Sequence, residues 1–292
     1  MSERKPTNLQ ILYDGFGREA IDGILGGETF EVDGVEFVCR YMPGSTAERF
    51  YLVKQAVHVD EYRALCERFR GARIMELGIA EGGSVALLSL WAEPEKFVAI
   101  DLESDRLEAL DDFIAARGLQ ERVRPFYGVD QGDRARLAEL VEEEFDGPLD
   151  WIVDDASHDH DLTRTSFEAL FPHLRPGGLY IIEDWDSSVV MRDAVLEVLR
   201  NPEAPGHAEA RESLQESLRS QTPKDAADQQ VTPLARLALE LTLACASLND
   251  AVAEVRTNGA FIAVTRGEAP LPATGFSLGD IYDDHYGLLV PR

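Results

Sequence analysis

From about Arg73 onward, short apolar runs rich in β-branched residues alternate with amphipathic stretches of about ten to fifteen residues, the pattern of repeated βα units around a parallel sheet. The spacing predicts strands over Ile74 to Leu77, Phe97 to Asp101, Val123 to Tyr127, Trp151 to Asp154 and Leu179 to Glu183. Helices are expected over Ser84 to Trp91, Asp105 to Arg117, Arg134 to Glu144 and Leu162 to His173, the last stopping before the Pro176-Gly177-Gly178 break. Ahead of this core, Thr29 to Val32 and Val35 to Arg40 read as a hairpin turning at Asp33-Gly34, part of a cap or assembly arm over residues 1–60. Behind the fifth strand, Val189 to Arg200 reads as a helix. The polar segment Asn201 to Gln230, with Pro202, Pro205 and Pro223, reads as a mobile lid. A strongly apolar helix follows at Leu234 to Leu248. Ala253 to Arg256 and Ala260 to Arg266 then flank Thr257-Asn258-Gly259, an Asn-Gly hairpin signal. The expected architecture is α/β: a doubly wound, mostly parallel seven-stranded sheet over residues 61–268, closed by an antiparallel hairpin, with a tail over 269–292 packed on the surface.

Composition narrows the class of partner. At 292 residues, 45% hydrophobic and 28% charged, the chain fits one globular core with decoration rather than a disordered, fibrous or membrane-spanning class. Its 28 Lys and Arg against 54 Asp and Glu give −26, a surface that repels phosphate backbones and anionic lipid, so neither nucleic acid nor membrane is expected as partner. Cys39, Cys66 and Cys245 show no CxxC spacing, which argues against a disulfide framework or a cysteine-rich zinc site and for a reducing cytosol. The first residues are polar and no apolar run reaches spanning length, so a soluble cytoplasmic protein is expected.

Two places carry candidate chemistry. Glu76-Leu77-Gly78-Ile79-Ala80-Glu81-Gly82-Gly83-Ser84 lies between the first core strand and its helix, where small residues admit a ligand to the backbone and to helix N–H groups. The spacing is not GxGxxG. Glu76 repels a pyrophosphate but suits a ligand bearing an amino group, and Asp101, nineteen residues after Gly82, closes the second strand where a carboxylate takes ribose hydroxyls. A nucleoside without phosphates fits this set, although a plain glycine turn explains the loop alone. The second place is formed by the ends of the fourth and fifth strands, Asp154-Asp155-Ala156-Ser157-His158 and Glu183-Asp184-Trp185. Carboxylates converging there repel one another unless a cation sits among them, and oxygen ligands without cysteine point to Mg²⁺ first, Mn²⁺ or Ca²⁺ next. A hard ion lowers the pKa of an alcohol, and His158 is the candidate general base. The plainer alternative is that these acids are helix caps, Asp159 or Asp161 among them, with His160 exposed and His173 a helix-terminal residue.

The run ELGIAEGGS, with the acid that ends VAIDLE, resembles the first motif of class I S-adenosylmethionine-dependent methyltransferases. The resemblance implies that Gly78, Gly82 and Ser84 lie against the methionine part of the cofactor, that Asp101 binds its ribose and that Asp130 meets adenine; a helix N-cap explains Asp130 equally well. DWIVDDASH and YIIEDW are further similar to the metal-dependent sugar O-methyltransferases of macrolide biosynthesis, of the macrocin and mycinamicin type. That similarity, from Arg73 to Trp185, implies Asp155, Glu183 and Asp184 as Mg²⁺ ligands and His158 as base, with Ala156 standing where those relatives have glycine.

The leading expectation is therefore a Mg²⁺-dependent methyltransferase using S-adenosylmethionine on a hydroxyl of a small natural product, a sugar by resemblance, entering between cap and lid in a homo-oligomer. Alternatives are a metal-independent methyltransferase of the same fold, an NAD-dependent oxidoreductase, which Glu76 and the missing central glycine disfavour, and a cofactor-binding module without catalysis.

Overall fold

The computed structural model describes residues 27–186 except 41, the positions 200, 201, 203 and 211, and residues 232–285 and 288–291 except 249 and 260. The expected helix Val189 to Arg200 and lid Asn201 to Gln230 thus lie outside the described residues, apart from four isolated positions. A small sheet comes first: β1 (Thr29–Val32) and β2 (Val35–Val38) form the expected hairpin and β3 (Arg49–Tyr51) joins β2 in parallel. Helix α1 (Ala56–Arg68) follows.

The core strands are β4 (Arg73–Leu77), β5 (Lys96–Asp101), β6 (Val123–Tyr127), β7 (Leu149–Asp154), β8 (Leu174–Glu183), β9 (Val252–Thr257) and β10 (Phe261–Arg266). They form a seven-stranded sheet in the order β6-β5-β4-β7-β8-β10-β9, with β4 through β8 parallel and β10 antiparallel to both of its neighbours. The helices between are α2 (Gly83–Trp91), α3 (Glu108–Ala116), α4 (Arg134–Glu144), α5 (His160–Leu170) and α6 (Ala235–Ser247). The strand order reverses between β4 and β7, and in such sheets the crevice outside the carboxyl ends at that point collects ligands.

Strand periodicity decides what faces what. Ile74, Phe97, Trp151, Val153, Leu179 and Ile181 face α1, α2, α3 and the small sheet, in one core with Phe37, Phe50 and Tyr62. Met75, Leu77, Val98, Ile100, Ile152, Tyr180 and Ile182 face the other way, in a core shared with α4, α5 and α6. Each fully buried large side chain contributes about 2 kcal/mol by leaving water. The same alternation sends Glu183, two positions after Ile181, towards α1, and Asp154, two after Ile152, towards α5.

Two expectations need correction. Pro176-Gly177-Gly178 does not precede the last parallel strand but lies within it: β8 begins at Leu174, and its register against β7 shifts between Leu149 and Trp151, so the breakers are absorbed in a bulge with Gly177 at φ +74°. His160 is not exposed. It opens α5 with its ring buried, 2.8 Å from Asp161 Oδ1 and 3.1 Å from Glu240 Oε1, and Asp159 caps the helix by accepting the Asp161 and Leu162 N–H groups. The tail adds structure of its own, pairing β11 (Tyr282–His285) with β12 (Leu288–Pro291) and burying Phe276, Leu278 and Ile281 against the α5–α6 side.

Candidate active site

The glycine loop is shaped by close approach. Gly78 has φ +101°, and a Cβ there would lie 2.1 Å from the Asp155 carbonyl oxygen, so the β4 and β7 loops touch only because this residue has no side chain. Gly82, at φ +77°, is the N-cap of α2, and a Cβ on Gly83 would lie 2.4 Å from the Tyr51 carbonyl oxygen, where the cap crosses the loop. Asp101 ends β5 with its Oδ2 accepting the N–H groups of Ile79 (2.8 Å) and Ala80 (3.1 Å) and its Oδ1 that of Glu103. It therefore holds the loop open-mouthed over a cleft of about 530 Å³, whose wall includes Gly78, Asp101, Leu102, Tyr127, Asp130 and Asp155. Asp130 takes the Gly132 N–H at 2.8 Å, while the cap of α4 is Asp133. Ser84 lines a smaller adjoining recess with Lys54 and Glu81.

Glu76 lines neither cavity. It lies fully buried behind the loop, neither carboxylate oxygen has a hydrogen-bond partner, and burial pushes its pKa up to about 7 against the pull of Lys54 and the nearby Ser84 hydroxyl.

Just past the ends of β7 and β8, Asp155, His158 and Asp184 converge, each offering a ligand atom within 4.8 Å of the others. His158 Nε2 stands 3.8 Å from Asp155 Oδ1 and 3.8 Å from Asp184 Oδ2. Two of the three residues hold strained backbones: His158 at φ +52° and Asp184 at φ +49° sit in the left-handed region that β-carbon-bearing residues avoid. Ala156, in the same loop, is not in that region. Glu183 does not join the group. Its carboxylate is buried on the α1 side, where Lys54 Nζ donates to it at 2.6 Å and the Tyr62 hydroxyl donates to the same oxygen. Lys54 also donates to Asp155 Oδ2 at 2.8 Å. Burial lowers the lysine pKa, but Asp155, Glu183 and Glu76 together outweigh it and the ammonium is held in place; burial and Asp155 push Glu183 up against that ammonium.

A second buried set supports the loop from the other face. Asp154 accepts hydrogen bonds from Gln131, Ser166 and Tyr180, and Gln131 in turn accepts the Ser157 N–H at 3.0 Å. Burial raises the Asp154 pKa to about 6, opposed by these donors.

Lys54, Tyr62 and Gln131 are absent from the sequence reading of the site, and Asp154, expected there among the converging carboxylates, turns instead to Gln131, Ser166 and Tyr180. Tyr62 sits on the apolar stripe of α1 with Val59, Leu65 and Cys66, so its periodicity signals core; only the rule that a buried phenol seeks a polar partner hints at Glu183. Lys54 follows Leu52 and Val53, and a lysine beside an apolar run in an acidic chain is a faint signal of burial.

The same stretch of chain is similar to known proteins. The family profile described as a methyltransferase domain matches residues 75–185, from β4 through the end of β8. Demethylmacrocin O-methyltransferase of Streptomyces fradiae is 34% identical over 134 residues, 44% of this chain and 29% of that protein. L-olivosyl-oleandolide 3-O-methyltransferase of Streptomyces antibioticus is 42% identical over 136 residues, 44% of this chain and 31% of that one. The chain thus matches less than a third of the length of either relative. Among solved structures, that of MycE methyltransferase from the mycinamycin biosynthetic pathway, in complex with Mg, SAH and mycinamycin VI, covers 73% of this chain and 51% of its own at 22% identity and a TM-score of 0.45. Residues 75–185, which carry the glycine loop and both strand-end acid runs, thus resemble a methyltransferase domain.

Proposed function

We propose that the protein transfers the methyl group of S-adenosylmethionine to a hydroxyl of a small natural product, a sugar unit by analogy with the macrocin and olivosyl relatives, with a divalent ion, Mg²⁺ first, at Asp155 and Asp184 and with His158 beside them as the base. The observation that carries this reading is the convergence of those three side chains beside a nucleoside-sized cleft at the sheet's switch point. Two carboxylates offering oxygen atoms within 4.8 Å of one another suit a hard divalent ion. Such an ion, when bound, lowers the pKa of a hydroxyl.

The chain's own residues do the rest. At the cleft Gly78 admits the methionine end, Gly82 turns the loop into α2 against Leu107 and Phe50, Ser84 sits at the recess beside it, Asp101 offers the remaining lone pair of Oδ1 to the ribose and Asp130 borders the adenine region. Glu76 is a carboxyl held behind the loop, near the methionine end. His158 takes the acceptor proton at a ring nitrogen as the hydroxyl oxygen attacks the methyl carbon, and the carbon–sulfur bond breaks with its electron pair going to sulfur. Glu183, the remaining acid of the expected ligand set, serves in this arrangement as the inner anchor for Lys54 and Tyr62. A reducing cytosol and a homo-oligomer complete the proposal; no helix among the described residues is long and apolar enough to cross a membrane. Light scattering reads the oligomer.

The test is transfer of labelled methyl to glycosylated hydroxyl acceptors, with and without chelator. Transfer that chelation abolishes and Mg²⁺ restores is expected; binding of S-adenosylhomocysteine without transfer to any hydroxyl would refute the acceptor class. A metal-independent methyltransferase is the second reading, favoured by the ammonium already lying between Asp155 and Glu183, and transfer indifferent to chelator would select it.

A further inference from the structure

Lys54 enters the centre from the segment between β3 and α1, outside the matched methyltransferase domain. Its side chain is 2% exposed, as is that of Glu183. The ammonium also lies over the Tyr62 ring, 5.2 Å from its centroid. A charge this deep is retained only when paired, and here it is paired twice, with a phenol completing the same carboxylate. The two oxygens of Asp155 are divided: Oδ2 accepts from Lys54 while Oδ1 faces His158.

We propose that Lys54 is a fixed counter-cation of the reaction centre, which keeps Glu183 out of the divalent-ion ligand set, turns Asp155 towards His158 and Asp184, and weakens ion binding there. The inference rests on the proposed use of a divalent ion and deepens it by assigning which acids hold the ion and what sets its affinity. Lys54 is a positioning residue. It acts through Asp155 and Glu183, and because it and Tyr62 both come from the amino-terminal side of the core, the centre is complete only when that part of the chain is docked. An ion arriving at Asp155 meets a positive charge already bound to the same carboxylate, and a buried like charge is poorly screened. Removing the ammonium releases Glu183 as a further ligand and removes that repulsion.

The test is Mn²⁺ titration of the full chain after chelator treatment, reading free Mn²⁺ by electron paramagnetic resonance. Lys54→Met is expected to bind Mn²⁺ about tenfold tighter or more than wild type, and Lys54→Arg, which keeps the charge, to stay within about threefold. Glu183→Gln alone is expected to change the affinity by less than about threefold, whereas in the Lys54→Met background it should reverse most of the gain, a coupling that a merely structural residue would not produce. Unchanged or weaker binding by Lys54→Met, or a tenfold loss in Glu183→Gln alone, would overturn the proposal. Glu183→Gln keeps an acceptor for Lys54 and Tyr62, so it decides the question even if Lys54→Met does not fold. Titration of the same samples with S-adenosylhomocysteine reads the methyltransferase proposal separately. Its failure would leave the Mn²⁺ comparison standing, and Mn²⁺ binding indifferent to Lys54 would leave the cofactor result standing.

Discussion

The cofactor cleft and the acid-histidine centre sit side by side on the same edge of the sheet, yet they are built in opposite ways. The cleft is made by neighbours in sequence, where the glycine loop after β4 is tied to Asp101 at the end of β5 by two backbone N–H bonds spanning 22 and 21 residues. The centre is made by strangers. Lys54 meets Asp155 across 101 residues and Glu183 across 129, and Tyr62 meets Glu183 across 121. A short motif with a backbone mechanism can therefore announce the first, while the second is set by which face each strand-end acid turns to and by what the rest of the chain brings to that face.

That contrast can be broken at several points. The largest effect is expected at His158, which belongs to the centre and not the cleft: His158→Ala should lower turnover about 10²–10⁴-fold while the affinity for S-adenosylhomocysteine stays near wild type. Steady-state kinetics with parallel calorimetry would show it, and a variant that keeps full turnover would remove His158 from the proton path. Gly78→Ala strikes where the two regions touch. Its methyl group cannot coexist with the Asp155 carbonyl, and a loss of about 3–4 kcal/mol in denaturant unfolding is expected, a neutral result showing that the loops separate freely.

Glu76 sharpens the comparison through pH. Its folded-state pKa, about 7, lies above its ordinary value of 4.5, so the folded protein holds that proton more tightly than the unfolded chain. The stability this supplies is full below about pH 4.5 and is lost as pH rises through 7. Glu76→Gln removes the dependence, so its stability relative to wild type should improve by on the order of 2–3 kcal/mol between pH 4.5 and 8. Denaturant midpoints of the two proteins at the two pH values measure this, and parallel curves would mean that Glu76 ionises without cost. The smallest effect is expected at Asp101, whose substitution by alanine should weaken S-adenosylhomocysteine about tenfold and leave Mn²⁺ binding unchanged.

Much of the frame was legible before the structure. The βα alternation from Ile74 to Glu183 and the Asn258-Gly259 hairpin signal follow from periodicity and turn chemistry, which are local. Where local rules misled, a distant partner had intervened. His160 reads as a polar residue at a helix start, but Glu240 on α6 supplies the acceptor that lets it be buried. Pro176-Gly177-Gly178 reads as the break between a helix and the next strand, yet β8 already runs through it because the pairing with β7 tolerates a bulge. Glu183 and Asp184 read as a like pair; alternation along β8 sends the first to Lys54 and leaves the second at the strand end with His158.

The most direct measurement is calorimetric titration of the purified chain with S-adenosylhomocysteine and, separately, with NAD. One molecule of S-adenosylhomocysteine bound per chain, with no heat from NAD, is the predicted result; binding of NAD with none of S-adenosylhomocysteine would contradict the assignment of the cleft to the methyl donor.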